Sequence, residues 1–173
     1  ARRELEEQLR LRAFHDPLTG LANRALFADR LDRAMRVRRS ADDLAPAVAF
    51  LDLDDFKDVN DTLGHAVGDA VLATIANRIA GCLRGSDTAA RLGGDEFALL
   101  VEDVPDERTL RELVARVVAA VREPITVDGD RVVRIRASVG IAASGADVVT
   151  AHADLAMYRD KSAAKADVIE LLA

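Results

Sequence analysis

Arg91-Leu92-Gly93-Gly94-Asp95-Glu96-Phe97 decides how this chain is read. The paired glycines lie between Ala89-Ala90-Arg91-Leu92 and the apolar run Phe97-Ala98-Leu99-Leu100-Val101. That pattern predicts a tight hairpin, because a two-residue primed turn needs positive φ at its centre. Gly93 and Gly94 carry no side chains, so a ligand can lie against their backbone. In this reading Asp95 opens the second strand and Glu96 points to the opposite face, since side chains alternate along a strand. A solvated acidic hairpin tip is the plain alternative, and the residues around the stretch decide between the two.

Upstream, Ala47-Val48-Ala49-Phe50-Leu51 is too short for a buried helix and reads as a central strand ending near Asp54. Asp52 and Asp54 are two apart, so they share a face at its carboxyl end, where binding sites of layered sheet proteins often lie. Asp52 ends one strand and Asp95 opens another. If those strands are neighbours, the two carboxylates converge, and with a backbone carbonyl they suit a hard cation such as Mg²⁺. A carboxylate pair with Mg²⁺ is the apparatus of phosphoryl and nucleotidyl transfer. A metal-free pair could instead serve glycoside hydrolysis. The scarcity of aromatics, 3% of the chain, weighs against a sugar site.

Phe56 to Leu63 reads as a short helix, interrupted by Gly64-His65-Ala66-Val67-Gly68 and followed by a longer helix from about Asp69 to Leu83. The free amides at the start of the short helix, beginning with Phe56, can hold an anion, and Lys57 adds a point charge. Asn60 and Asp69 bracket the interruption. An ionised Asp facing the N1 and N2 hydrogens of guanine would accept guanine and reject adenine, whereas helix capping is the plain reading of both residues. His65, between glycines, reads as a turn residue or a ligand contact.

Further out, Leu5 and Leu9 mark a polar helix over residues 1–15, either the end of a coiled coil or a frayed terminus. Asp16-Pro17-Leu18-Thr19-Gly20 is a turn, and Asn23 caps a helix to about Arg38 with a stripe of Leu26, Phe27, Leu31 and Met35. Ser40 to Leu44 is a polar loop. Asp106 caps a helix running toward Pro124, and Asp128-Gly129 signals a second hairpin. A strand follows from Val132 to Ala142, then a helix from Asp154 to Lys165 and a last strand from Val168 to Leu172. The order predicts an α/β (α+β) domain with a central mixed sheet flanked by helices.

Composition bounds the reading. The chain has 173 residues, one domain's length, and half of them are hydrophobic. A net charge of -6 argues against a broad nucleic-acid surface but not against a mononucleotide. No apolar run is long enough to cross a membrane, and the N-terminus is unlike a signal peptide. The chain begins without Met and reads as a piece of a longer protein. Its single cysteine, Cys82, excludes an internal disulfide and reads as a buried structural thiol, in keeping with a reducing, cytoplasmic setting.

Taken together these motifs resemble the GGDEF domain of bacterial diguanylate cyclases. They are Asp16-Pro17-Leu18-Thr19-Gly20-Leu21 with Asn23-Arg24, Leu51-Asp52-Leu53-Asp54-Asp55-Phe56-Lys57, Asn60-Asp61 with Gly64-His65 and Gly68-Asp69, and the Gly-Gly stretch. Ser138-Val139-Gly140 and Ala153-Asp154-Leu155-Ala156-Met157-Tyr158 complete the set. The resemblance implies a palm-like fold similar to nucleotidyl cyclases, with residues 1–15 as a linker or signalling helix and residues 16–173 as the cyclase domain. It implies condensation of two GTP into cyclic di-GMP with release of pyrophosphate, in a homodimer. It further implies that Asp52, the Leu53 carbonyl and Asp95 hold Mg²⁺, or Mn²⁺ in its place, with Asp95 also the base for the 3′-hydroxyl. Phe56, Lys57 and Lys161 would hold phosphates, Asn60 and Asp69 would read guanine, and His65 would join the substrate contacts. Arg84-Gly85-Ser86-Asp87 matches the family's inhibitory product site, with Arg116 as a partner.

The chain departs from the family at Leu92, where tyrosine is common, and at Ala164-Lys165-Ala166, where Gly-Arg-Asn is usual. Lys165 keeps a charge but lacks the planar fork of Arg, which bears on how firmly a triphosphate is held. The alternative implied by that change is a weak or inactive regulatory module that binds GTP or cyclic di-GMP, of the kind that precedes a phosphodiesterase domain. A pure dimerising scaffold would leave Asp52 and Asp95 unexplained.

Overall fold

The computed structural model describes residues 13–37 and 45–142. Helix α1 (Arg24–Val37) is followed by β1 (Ala45–Asp54), α2 (Phe56–Leu63), α3 (His65–Cys82), β2 (Thr88–Gly93) and β3 (Glu96–Val104). Helix α4 (Glu107–Arg122), β4 (Ile125–Val127), β5 (Arg131–Val133) and β6 (Arg136–Ala142) complete the described elements. The main sheet has the order β2-β3-β1-β6, with antiparallel pairing throughout. β4 and β5 form a separate hairpin ladder. The α/β class with helices on the sheet faces is as expected, whereas the sheet, expected to be mixed, is antiparallel among the described residues. The expected segments 1–12, 40–44, 154–165 and 168–172, with Lys161 and Lys165, lie outside the described residues.

Alternation along β1 sorts the core into two layers. Val48 and Phe50 face α1, where Phe27 and Leu31 are fully buried against Ala90, Ala98 and Leu100. Ala49, Leu51 and Leu53 face the other way, onto α3 and α4, with Val71, Ile75, Ile79, Leu110 and Val117. Arg78 ties these two helices together. Its guanidinium donates to the carbonyls of Ala120, Glu123 and Pro124 at 3.2, 2.6 and 2.8 Å, satisfying acceptors that the end of α4 leaves open. At the other end of α4, Asp106 Oδ1 accepts the Thr109 amide at 2.7 Å, as its capping position predicts. Asn23 Oδ1 caps α1 in the same way through the Leu26 amide at 3.0 Å.

Three further expectations need correction. The segment expected as one strand from Val132 to Ala142 is two strands in two sheets, because its first residues pair with β4 across the Asp128-Gly129 turn and the rest pair with β1. The expected interruption at 64–68 is Gly64 alone (φ 88), so α3 starts at His65 and Gly68 lies inside it. Cys82, expected to be buried, is half-buried at the edge of the larger core.

Leu31 is fully buried between α1 and the sheet. Leu31→Ala should therefore cost about 2–5 kcal/mol, seen as a lower urea midpoint with an unchanged denaturant slope.

Candidate active site at the carboxyl end of β1

β1 runs between β3 and β6, so each of its residues has two cross-strand partners. Asp52 is opposite Glu96 on β3 and Ser138 on β6. Directly opposed residues share a face. Asp52, Glu96, Ser138 and Asp54 therefore line the α1 side of the sheet, beyond the apolar patch that α1 covers. Asp54 accepts the Ser138 hydroxyl at 2.7 Å. The Leu53 amide donates to the Asp95 carbonyl at 3.2 Å, which fixes the turn against the end of β1. The backbone of Asp95 thus lies against the end of β1, beside Leu53.

The turn differs from expectation in register. Gly94 and Asp95 are its centre, and Gly93 pairs with Glu96 after a shift between Arg91 and Gly93. Gly94 has φ 52, which glycine adopts without strain. Asp95 is therefore a turn residue and not the first residue of a strand. It is Glu96 that opens β3 and stands across from Asp52.

An arginine holds this turn. Arg91 donates through Nε and Nη2 to the Gly94 carbonyl at 3.0 and 2.8 Å. Its Nη1 reaches both carboxylate oxygens of Asp16 at 3.1 and 3.3 Å. Asp16 in turn accepts the amide and hydroxyl of Thr19 at 2.9 and 2.6 Å. Arg91 and Asp16 lie in separate motifs 75 positions apart, and neither announces this role in the sequence. Arg24, the first residue of α1, also reaches the hairpin, donating to the Leu92 carbonyl at 3.3 Å and standing 3.9 Å from Glu96. Leu92, in place of the common tyrosine, packs on the α1-side core.

Beyond β1, Asp55 takes a left-handed φ of 57 and turns the chain into α2. Phe56 is buried at the first position, while Lys57 is exposed in the first turn. Asn60 is half-buried and lies against Gly68, and Asp69 follows on the exposed surface of α3. His65, which opens α3, is exposed, as are Gly93 and Gly94. Among the described residues no group of three or more His, Cys, Asp or Glu side chains gathers for a metal. Asp52, the Leu53 carbonyl and Asp95 offer only oxygen donors, a chemistry that suits a hard cation.

Arg84 and Asp87 lie in the turn between α3 and β2, away from Asp52. Asp87 is buried, and its two oxygens accept the amides of Arg84 at 3.0 Å and Glu102 at 3.3 Å. Arg84 is exposed. Arg116 donates to the Cys82 carbonyl at 2.7 Å, so the three residues gather at one edge.

This geometry can be set beside known proteins. A profile described as "Diguanylate cyclase, GGDEF domain" matches residues 13–167. The chain belongs to the GGDEF domain family. Diguanylate cyclase TpbB of Pseudomonas aeruginosa is 43% identical over 159 residues, which cover 88% of this chain and 36% of that protein. The bifunctional diguanylate cyclase/cyclic di-GMP phosphodiesterase MucR of the same species is 46% identical over 156 residues, covering 86% of this chain and 22% of that protein. The chain thus spans about a third or less of these relatives. Among solved structures, the GGDEF domain of TpbB aligns with TM-score 0.73 at 39% identity, covering 82% of this chain and 85% of that one. The coiled coil and GGDEF domain of DgcB from Caulobacter crescentus, in complex with c-di-GMP, aligns with TM-score 0.76 at 32% identity, covering 89% and 84%. No helix among the described residues of this GGDEF chain is long and apolar enough to cross a membrane.

The clamp on the turn has a pH signature. Burial pushes the Asp16 carboxyl up, but hydrogen bonds from Thr19 and Arg91, with the Arg91 charge, outweigh it and hold the pKa below 3.8. A carboxyl depressed by folding stabilises the fold above its unfolded pKa, and this contribution disappears as pH falls through the folded pKa. Urea unfolding from about pH 6 to about pH 2 should show wild type ahead of Asp16→Asn at the upper end. The gap should close below the ordinary carboxyl value of 3.8.

Proposed function

We propose that this GGDEF chain is the catalytic domain of a diguanylate cyclase, joining two GTP into cyclic di-GMP with release of two pyrophosphates. The observation that carries the reading is the β1–β3 register, with Asp52 across from Glu96 and the Leu53 amide on the Asp95 carbonyl. It gathers oxygen donors beside a turn whose glycines leave the backbone open to a nucleotide.

In this reading Asp52, the Leu53 carbonyl and Asp95 hold Mg²⁺, or Mn²⁺, which when bound stabilises charge on the transferred phosphate. Asp95 accepts the proton of the attacking 3′-hydroxyl. The Phe56 amide and Lys57 hold phosphate at the start of α2, helped by Lys161. Asn60 and Asp69 read the guanine edge, with His65 beside them and Gly93 and Gly94 against the nucleotide. One chain holds one GTP, so two chains must face each other, each 3′-hydroxyl attacking the partner's α-phosphate. Residues 1–15 serve as the linker or signalling segment that brings the two chains together, and residues 16–173 form the cyclase domain, working in the cytoplasm.

Arg84, Asp87 and Arg116 form the site for the inhibitory product. The bonds of Asp87 to the Arg84 and Glu102 amides support a division of labour there. Asp87 holds the turn, and the exposed Arg84 meets the ligand's phosphates and guanine edges. The second reading, a regulatory module that binds nucleotide without turning it over, rests on Ala164-Lys165-Ala166.

Incubation with GTP and Mg²⁺, read by nucleotide chromatography, should yield cyclic di-GMP. Asp95→Asn should abolish turnover while GTP still binds through Asn60 and Asp69. Unchanged product formation in that variant would remove Asp95 from the chemistry. Nucleotide binding without product in wild type would favour the module. For the product site, calorimetry should detect cyclic di-GMP binding to wild type and at least about tenfold weaker binding to Arg84→Ala. Equal affinity in both would rule the site out.

A further inference from the structure

Gly68 is a glycine that its own backbone does not require. It is buried within the first turns of α3 and is not among the residues of positive φ. Glycine at such a position weakens a helix relative to alanine. The reason for it lies across the interhelical space. A methyl group on its Cα would overlap Oδ1 of Asn60 and stand 3.0 Å from Asn60 Cγ and 3.3 Å from Phe56 Cζ. The Asn60 carboxamide from α2 thus lies across the bare Cα of Gly68, one residue before Asp69.

The atom that a methyl group would displace is the far end of a flexible side chain. An alanine could be admitted by rotating Asn60 and by a shift of about a few tenths of an ångström at the buried Phe56 ring tip, a cost that the gain in helix propensity offsets. What would be lost is the direction of the carboxamide. That direction decides whether Asn60 offers its carbonyl or its amino group. We propose that Gly68 is a positioning residue for purine selection. Its missing side chain sets the Asn60 carboxamide so that Asn60 and Asp69 together meet guanine. This rests on the guanine assignment made above, and it adds a residue that touches no nucleotide itself.

The test uses a non-hydrolysable GTP analogue and its ATP counterpart, measured by calorimetry on wild type, Gly68→Ala, Asn60→Ala and the double variant. Thermal unfolding is followed in parallel. Gly68→Ala should keep or raise Tm and lower the preference for the guanine analogue about tenfold. In the Asn60→Ala background the same change should have little further effect, because its route is gone. Retained preference in Gly68→Ala overturns the proposal. So does an equal loss in both backgrounds, or a marked fall in Tm, which would make the glycine a packing requirement. A wild type without guanine preference would instead remove the assignment of Asn60 and Asp69, and it is read before any variant.

Discussion

The site depends on the register of β1 between β3 and β6. Side chains along a strand alternate with period two, so a slip of one residue would send Asp52 into the apolar layer and Leu53 toward α1. That slip would bury a carboxylate among Val71, Ile75 and Leu110 without a partner, which is costly. The register is therefore set by the core before any ligand arrives. Leu51 and Leu53 on one face, with Val48 and Phe50 on the other, fix which acids reach the α1 side.

Given that register, the turn must still be held at a defined height above the strand ends. Arg91 does this with donors that a lysine could not arrange, since one planar guanidinium serves the Gly94 carbonyl and the Asp16 carboxylate together. The same arginine links the turn bearing Asp95 to the Asp16-Thr19 turn. Both partners are largely shielded, with side-chain exposures of 13% and 18%, so the pair is less screened than a surface bridge.

Local chemistry was legible in the sequence. The caps at Asn23 and Asp106, the hairpins at Gly94 and Asp128-Gly129, and the sorting of β1 all follow from a few adjacent residues. What was not legible depended on distant partners. The division of 131–142 into two strands reflects competition between β4 and β1 for one segment. The Asp16–Arg91 pair spans 75 positions, and neither residue alone announces the other. The one-residue displacement of Asp95 into the turn follows from the irregular pairing at Arg91 and Gly93. Gly68 reads as a break in the sequence, because a sequence cannot separate a glycine needed for φ from one needed for space.

The two faces of the sheet carry different burdens. Most of the buried apolar residues lie on the side of α3 and α4, while Asp52, Asp54 and Glu96 stand on the other side, at the margin of the smaller cluster. Replacing an acid on that margin leaves the larger core intact. A lineage with this fold can therefore lose or reshape its chemistry by single steps and still inherit a folded domain. Such a domain remains available for binding or assembly, so the architecture permits an enzyme to become a receptor without passing through an unfolded ancestor.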